Sequence, residues 1–508
     1  MPEHIRALIV ILALAGVVFL FARRPALDLI PRDDFTRRRN LWFALTVLAF
    51  ISHSFWVYAG ITAIVLIVAR KRERNPVALF FLLLFLVPTA SAQISGLGMV
   101  NYFFALNHVR LLSLCVLLPA FLTLRSRADT VPFGRTGPDK FLAASLVLTS
   151  LLYLRETTVT DTLRQTLYLF LEVFLPYYVA SRALKTLSDF KNAMLGFVLA
   201  AMVLSLLGMF EFAKNWLLYS ALTEAMGMQW EMSSYLTRGG SLRASVTTGQ
   251  AIALGFVISV AIGFYLYLQE DVRSKMQRSL GALLLAGGLF APLSRGPWIG
   301  AATLIIVFIG TGRKAVKRLM MLGLAGVLAL PLLAVVPGGQ KVLDLLPFIG
   351  TVEVENITYR QRLFDNAVIV IQRNPWFGSF DYRNTPEMQS LTQGQGIIDI
   401  VNTYIGVALS FGLIGLALFV LFFASVLQGI RKGIRAYPNK DDEARRLGRA
   451  LLATMVGVLI TIVTVSSITV IPVVYWSVAG LGVAYAQMAR RLKQTSPAVT
   501  ASAHLQLR

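Results

Sequence analysis

The stretch Gly394-Gln395-Gly396-Ile397-Ile398-Asp399-Ile400-Val401-Asn402-Thr403-Tyr404 is where this chain passes from water to membrane. Before it lies a polar interval, 337–400, that carries Arg360, Arg362, Asp365, Arg373, Asp381, Arg383 and Glu387. After it begins an apolar run, 401–427, long enough to cross a bilayer. Long structured loops between spans are uncommon and tend to carry function, so chemistry is expected in this interval.

Working outward, apolar runs recur along the whole chain. They fall at about 7–22, 41–69, 77–93, 111–124, 141–154, 166–181, 193–212, 249–269, 280–293, 297–311, 319–336, 401–427, 450–471 and 472–488. The 41–69 run is long enough for one tilted helix or a tight hairpin. These runs predict an all-α, polytopic integral membrane protein with about 12–15 transmembrane helices and one long, partly helical loop on one face. A hydrophobic content of 56% and a mean hydropathy of +0.67 exclude an ordinary soluble domain.

Net charge is +22 over 508 residues. The basic residues cluster at 70–72, 125–140, 182–191, 273–278, 313–318, 431–449 and 490–493. These loops alternate with less basic ones at 94–110, 155–165, 213–248, 294–296 and 337–400. One orientation satisfies the alternation: basic loops and C-terminus in the cytoplasm, the long loop outside. Residues 23–39 are also basic, which favours the hairpin at 41–69. No basic run is interleaved with aromatics in a soluble module, so no nucleic-acid partner is expected and the bilayer accounts for the charge.

The organisation that follows is N-terminal transmembrane helices (1–192), further helices with a first external region at about 213–248 (193–336), the large loop (337–400), C-terminal helices (401–490) and a cytoplasmic tail (491–508). The tail from 493 reads as disordered. The first external region contains Trp216, Trp230, Arg238 and Arg243. Within the large loop, 359–373 reads as a helix with Leu363, Phe364, Ala367 and Ile371 on one stripe, ended by Asn374-Pro375. Arg360 continues that stripe and is expected to face the membrane domain.

The single cysteine, Cys115, lies in an apolar run and forms no internal disulfide. The four histidines, His4, His53, His108 and His504, are scattered without metal-ligand spacing, so no metal and no cofactor are expected. The run 7–21 lacks a convincing signal-peptide cleavage site and is followed by Arg23-Arg24, so it reads as a retained span.

Three boundary arginines stand out: Arg243 in Gly240-Ser241-Leu242-Arg243-Ala244-Ser245, Arg295 in Ser294-Arg295-Gly296-Pro297-Trp298, and Arg360. Pro297 suits a first helical turn, which would set Arg295 beside free N–H groups, a good anion site. Each arginine also fits the simpler role of reaching lipid phosphate from a span end. Glu172, inside a span and followed by Pro176, fits a buried ion pair or a catalytic carboxylate. Glu211, near the outer end of 193–212, is similar. Asp399 fits either a helix N-cap or a general base at the membrane boundary.

Four passages resemble the O-antigen ligase and O-antigen polymerase superfamily of bacterial membrane glycosyltransferases. They are Arg243-Ala244-Ser245 before a small-residue span; Ser294-Arg295-Gly296 opening another; Arg360-Gln361-Arg362-Leu363-Phe364 with Asn374-Pro375-Trp376-Phe377-Gly378 after it; and Asn402 followed, after nine intervening residues, by Gly412-Leu413-Ile414-Gly415. Together they cover roughly 193–424. The resemblance implies metal-independent transfer of a glycan from undecaprenyl diphosphate in envelope polysaccharide biosynthesis, to the next lipid-linked repeat in a polymerase or to lipid A–core in a ligase. It implies Arg243, Arg295 and Arg360 as diphosphate ligands, and a long loop on the periplasmic face of a bacterial cytoplasmic (inner) membrane. Arg362, Glu172 and Glu211 are read beside them as supporting residues, and Asp399 and Asn402 as the catalytic candidates. Ligases of the family carry a histidine immediately before that asparagine; Val401 stands there, and Asp399 is the nearest titratable group. Polymerase-type transfer is therefore set ahead of ligation to lipid A–core or a protein acceptor. A transporter, suggested by Glu172 with Pro176, is the reading from another class.

Overall fold

The computed structural model describes residues 1–98, 101–228, 237–238, 240–335, 343, 354–393, 396–437, 439 and 441–505. Trp230, the Gly394-Gln395 pair and nearly all of 337–353 lie outside the described residues. The protein is an all-α polytopic membrane protein, 75% helical with almost no strand. Six helices among the described residues are each long and apolar enough to cross a membrane.

Helices α1 (Glu3–Leu27), α2 (Arg32–Ile51) and α3 (Phe55–Arg70) open the chain. The 41–69 run is thus a hairpin, broken where Ser52 turns to extended backbone. The run 77–93 departs from expectation. Only α4 (Pro76–Leu83) is helical, and the chain then turns into a short strand, β1 (Ala92–Ser95). Pro88, which cannot donate to a helical ladder, stands in the non-helical part. β1 pairs antiparallel with β2 (Tyr102–Leu106), a hairpin that an all-helix reading does not anticipate.

Next come α5 (His108–Ser126) and α6 (Gly137–Glu156). Then α7 (Val159–Leu169) runs through one π-turn, Phe170–Phe174, into α8 (Leu175–Ala183). A second π-turn, Ser113–Leu117, lies within α5. Each π-turn sits just before a proline, Pro119 or Pro176, whose ring and missing N–H disturb the preceding helical turn. After α9 (Leu187–Lys214) follow α10 (Ala251–Leu268), α11 (Lys275–Phe290), α12 (Arg295–Gly310) and α13 (Ala315–Val335). The loop helix α14 (Val354–Arg373) precedes α15 (Thr403–Ala436), α16 (Glu443–Thr461) and α17 (Ile471–Leu505). The 450–471 run is helical only to Thr461, and residues 462–470 form a polar turn instead. The tail read as disordered continues α17 as helix to Leu505.

Side-chain contacts define two ends of the bundle. At the basic end Arg38 pairs with Glu73 at 2.6 Å, Lys191 with Glu443 at 2.7 Å, and Arg449 donates to the Phe308 carbonyl at 2.7 Å. At the other end Trp216 Nε1 donates to Glu3 at 2.9 Å, and the segment that carries Arg243 packs on the α11–α12 turn. The long loop meets the 462–470 turn at this same end.

The long loop has a core of its own. Leu363, Ala367, Val370, Tyr382, Met388, Leu391, Ile398, Ile400 and Leu409 form a buried cluster separate from the main one. Phe364, expected on the buried stripe, is 58% exposed, and Val370 takes that place.

Helix α15 is not continuous. Gly412 has φ +67° and ψ −171°, which breaks the helical ladder. The segment Asn374-Pro375-Trp376-Phe377-Gly378 is docked in the break. The Leu413 N–H donates to the Pro375 carbonyl at 2.7 Å and the Ile414 N–H to Trp376 at 3.2 Å, while the Leu409 carbonyl accepts from the Ser379 N–H at 3.0 Å. In a membrane an unsatisfied backbone group costs several kcal/mol, so the docked segment is what makes the break tolerable. Only glycine fits at the crossing, because a Cβ on Gly412 would lie 2.3 Å from the Trp376 carbonyl carbon. Helix α6 clamps the same segment: Arg155 donates to the Gly378 carbonyl at 3.0 Å, Glu156 accepts from the Phe380 N–H at 2.6 Å, and Tyr153 stacks on Phe380 at 4.3 Å.

Candidate functional site

The polar turn 462–470 is the hub on which the boundary residues meet. Thr403, at the start of α15, donates its N–H to the Ile462 carbonyl at 3.0 Å and its hydroxyl to Val465 at 2.7 Å. Ser466 donates its hydroxyl to Asp399 Oδ1 at 2.9 Å and to the Ile400 carbonyl at 2.8 Å. Arg360, on the first turns of α14, donates to the Thr464 carbonyl at 3.3 Å. The stripe reading thus has Arg360 turned toward the membrane domain, where its charge acts on Asp399.

Asp399 is not the helix cap. The cap of α15 is Asn402, whose Oδ1 accepts from the Tyr404 N–H at 2.9 Å and the Ile405 N–H at 3.2 Å. The chain is still extended at 399, held there by Tyr359. The Tyr359 hydroxyl donates to the Asp399 carbonyl at 2.9 Å and lies 3.1 Å from its N–H. The carboxyl group is therefore free of capping. Burial raises its pKa above the ordinary aspartate value, against the opposing pull of the Ser466 hydroxyl, Arg360 and Arg383. Burial also lowers the pKa of Arg360; Asp399 acts against that, and Arg238 adds to it.

Two more arginines are fixed on the turn before α12. Arg243 Nε donates to the Pro292 carbonyl at 3.2 Å, Arg238 Nη1 to Leu293 at 2.5 Å, and the Ala244 N–H to Ala291 at 3.2 Å. That turn leads directly to Arg295, the first residue of α12, where the helix dipole favours an anion. Gly296 lies against Thr464, since a Cβ there would sit 2.3 Å from Thr464 Oγ1. One backbone junction thus joins the Arg295 turn to the residue that holds Arg360.

Glu211 organises the Arg243 segment from beneath. Fully buried, it accepts from the Leu218 N–H at 3.0 Å, the Ser245 N–H at 3.1 Å and the Val246 N–H at 3.0 Å. It is a structural acceptor for a strained loop. Val246, Leu293 and Thr469 have φ of +47°, +46° and +49°, and all three lie in the segments that carry the site. Branched residues rarely adopt such angles, and strain of this kind gathers at functional sites.

The other expected residues lie apart from this cluster. Glu172 pairs with Arg110 at 2.8 Å, and Arg110 stacks on Tyr168 and donates to the Ala105 carbonyl of the β-hairpin. Arg362 is exposed and donates to the Ser390 carbonyl within the loop. His108 is buried between Tyr58 and the Leu83 carbonyl. Among the described residues no group of three His, Cys, Asp or Glu side chains could hold a metal ion. Sequence reasoning did not assign Arg238, Arg383, Thr464 or Ser466 to the site. Its one available signal was Thr461-Ile462-Val463-Thr464-Val465-Ser466-Ser467, a polar interruption inside an apolar run.

Residues 280–420 match the family described as O-Antigen ligase. The chain carries a domain of the O-antigen ligase/polymerase superfamily. The matched family consists of glycosyltransferase-like enzymes of envelope polysaccharide biosynthesis. No curated protein matches the chain. The O-antigen ligase domain contains Arg295, Arg360, Asp399, Asn402 and the Gly412 break. Arg238, Arg243, Glu211, Thr464 and Ser466 lie outside the matched stretch, and the fold brings them to it.

Proposed function

We propose that the protein transfers a glycan from undecaprenyl diphosphate to a glycan acceptor on the periplasmic face of the bacterial inner membrane, without a metal. Polymerase-type transfer to the next lipid-linked repeat is the reading favoured. The observation that supports it is the convergence of Arg360 and Asp399 on the 462–470 turn, with Arg238 and Arg243 bonded to the adjoining turn that leads into Arg295.

In this reading the guanidinium groups and the α12 N-terminus hold the diphosphate and stabilise the charge that grows on it as the sugar C1–oxygen bond breaks. Asp399, as carboxylate, takes the proton of the acceptor hydroxyl while that oxygen bonds to C1. Undecaprenyl diphosphate leaves with the bonding electron pair. The raised pKa suits a base, because a more basic carboxylate accepts the proton more readily. Glu211 keeps the Arg243 segment in place, and Asn402 fixes the start of α15 beside Asp399.

Ligation to lipid A–core or a protein acceptor is the alternative. The description of the matched family supports it, whereas Val401 in place of the family histidine favours polymerase. The transporter reading loses its motive, since Glu172 is paired with Arg110.

The test is full-length protein in lipid nanodiscs with a defined lipid-linked repeat and excess EDTA. Growth of carrier-bound glycan supports polymerase. Product only when lipid A–core or a protein acceptor is added supports ligase. No turnover with any acceptor, from protein that is folded and holds the lipid-linked repeat, overturns the proposal.

A further inference from the structure

A cavity of about 120 Å³ lies in the long loop, between the C-terminal end of α14 and residues 378–385, which follow the stretch docked in the Gly412 break. Its polar lining is Arg373, Asn374, Ser379, Asp381, Tyr382 and Thr385, and Leu409 of α15 is part of its apolar wall. Its lining carries one charge of each sign, Arg373 and Asp381; Arg373 is paired with Glu387, and Asp381 accepts from the Asn384 amide. An anion would meet Asp381, a cation would meet Arg373, and a purely apolar group would cover a polar lining whose remaining hydrogen-bonding capacity it cannot meet, although the Ser379 and Thr385 hydroxyls already donate to Glu156 and Tyr382. A neutral ligand with many hydroxyls satisfies donors and acceptors of both kinds, with the Tyr382 ring for its apolar face.

The cavity belongs to the Asp399 side of the site. Its wall residues Val370, Tyr382 and Leu409 pack in one small core with Ile398 and Ile400, the two neighbours of Asp399. None of the arginine-bearing residues 238–244 or 291–295 lines it. From Asn402 to Leu409 is seven residues of α15, about 10 Å along a helix axis. A glycan whose reactive hydroxyl reached Asp399 could therefore place a sugar further along the same chain in the cavity.

We propose that this cavity is a subsite for a sugar residue of the acceptor glycan, separate from the diphosphate site. The inference rests on the glycosyltransferase reading, and binding can be tested apart from turnover. Full-length protein in nanodiscs is given the oligosaccharide released by mild acid from the host's own surface polysaccharide, with no lipid-linked donor, and binding is followed by saturation-transfer NMR. Wild type and Arg360→Ala are expected to bind equally, and Asp381→Ala and Thr385→Val at least fivefold more weakly. Wild-type affinity in both cavity variants, or no binding by wild type, overturns the subsite even if transfer activity is found. Cavity-dependent binding by a protein that never transfers glycan leaves the subsite standing and removes the enzymatic reading.

Discussion

Ser466 donates its hydroxyl to Asp399 Oδ1 at 2.9 Å, which ties the turn between α16 and α17 to the carboxylate at the end of the long loop. That bond favours the carboxylate form, while burial favours the protonated one and dominates. Asp399 acts as a base only when ionised, so transfer falls as pH drops through its raised pKa. Replacing Ser466 by Ala removes a stabiliser of the carboxylate, worth about 1.5–3 kcal/mol for a hydrogen bond to a charged group. The acid limb of the kcat/KM profile should then move up by about one to two pH units. Asp399→Asn should abolish that limb and lower the rate roughly 10²–10⁴-fold. A limb that stays in place in Ser466→Ala removes Asp399 from the role of base.

Arg360 differs from Arg362 in where it points, and Arg295 opens α12 beside the residue that holds Arg360. Arg360→Ala and Arg295→Ala should each lower transfer by about 10²–10³-fold, the usual effect of losing one stabiliser of a developing anion. Arg362→Ala should change it little, because Arg362 is exposed and bonded within the loop. Lysine at 360 should restore only part of the activity, since an ammonium does not reproduce the guanidinium fork. Steady-state rates with lipid-linked donor, on protein matched for thermal stability, decide the order.

Gly412→Ala should destabilise the protein by more than the about 1–2 kcal/mol that left-handed backbone costs an alanine, because its Cβ also meets the docked Trp376-Phe377 backbone. Gly406→Ala, on the same helix, has only an ordinary contact of 3.5 Å with Ile400 and should be tolerated. The comparison is read from detergent-solubilised thermal unfolding. Equal midpoints would mean the loop is not held in the helix break.

Glu211→Gln keeps one carbonyl oxygen where two carboxylate oxygens now accept three backbone N–H groups. At least one buried donor should be left unpaired, a loss of about 1–3 kcal/mol. Proteolysis should then become faster within the Arg243 segment before it does elsewhere. Protection equal to wild type would show that Glu211 does not hold that segment.

The chain has one cysteine, Cys115, which is buried, so new cysteines can be read against a silent background. A membrane-impermeant maleimide should label Asp365→Cys in intact spheroplasts and Arg313→Cys only after permeabilisation. Both positions are exposed, at opposite ends of the bundle. Reversed labelling would invert the proposed orientation.

By itself the sequence determined the class. Apolar runs of spanning length leave no choice but helices in a bilayer, because every backbone group there must be satisfied within its own segment. Charge alternation sorted the loops into two sets, and helical spacing turned Arg360 inward. Those are local or additive properties, readable along a chain. What needed tertiary structure was every feature that depends on a partner distant in sequence. The run 401–427 reads as one helix because nothing local says that residues 375–379 will satisfy the backbone groups a break at Gly412 exposes. The run 450–471 reads as a span because Thr464 and Ser466 show their purpose only beside Arg360 and Asp399. Asp399 and Asn402 both suit a helix start, and only the fold decided that Asn402 caps the helix and leaves the Asp399 carboxylate facing Ser466 and Arg360.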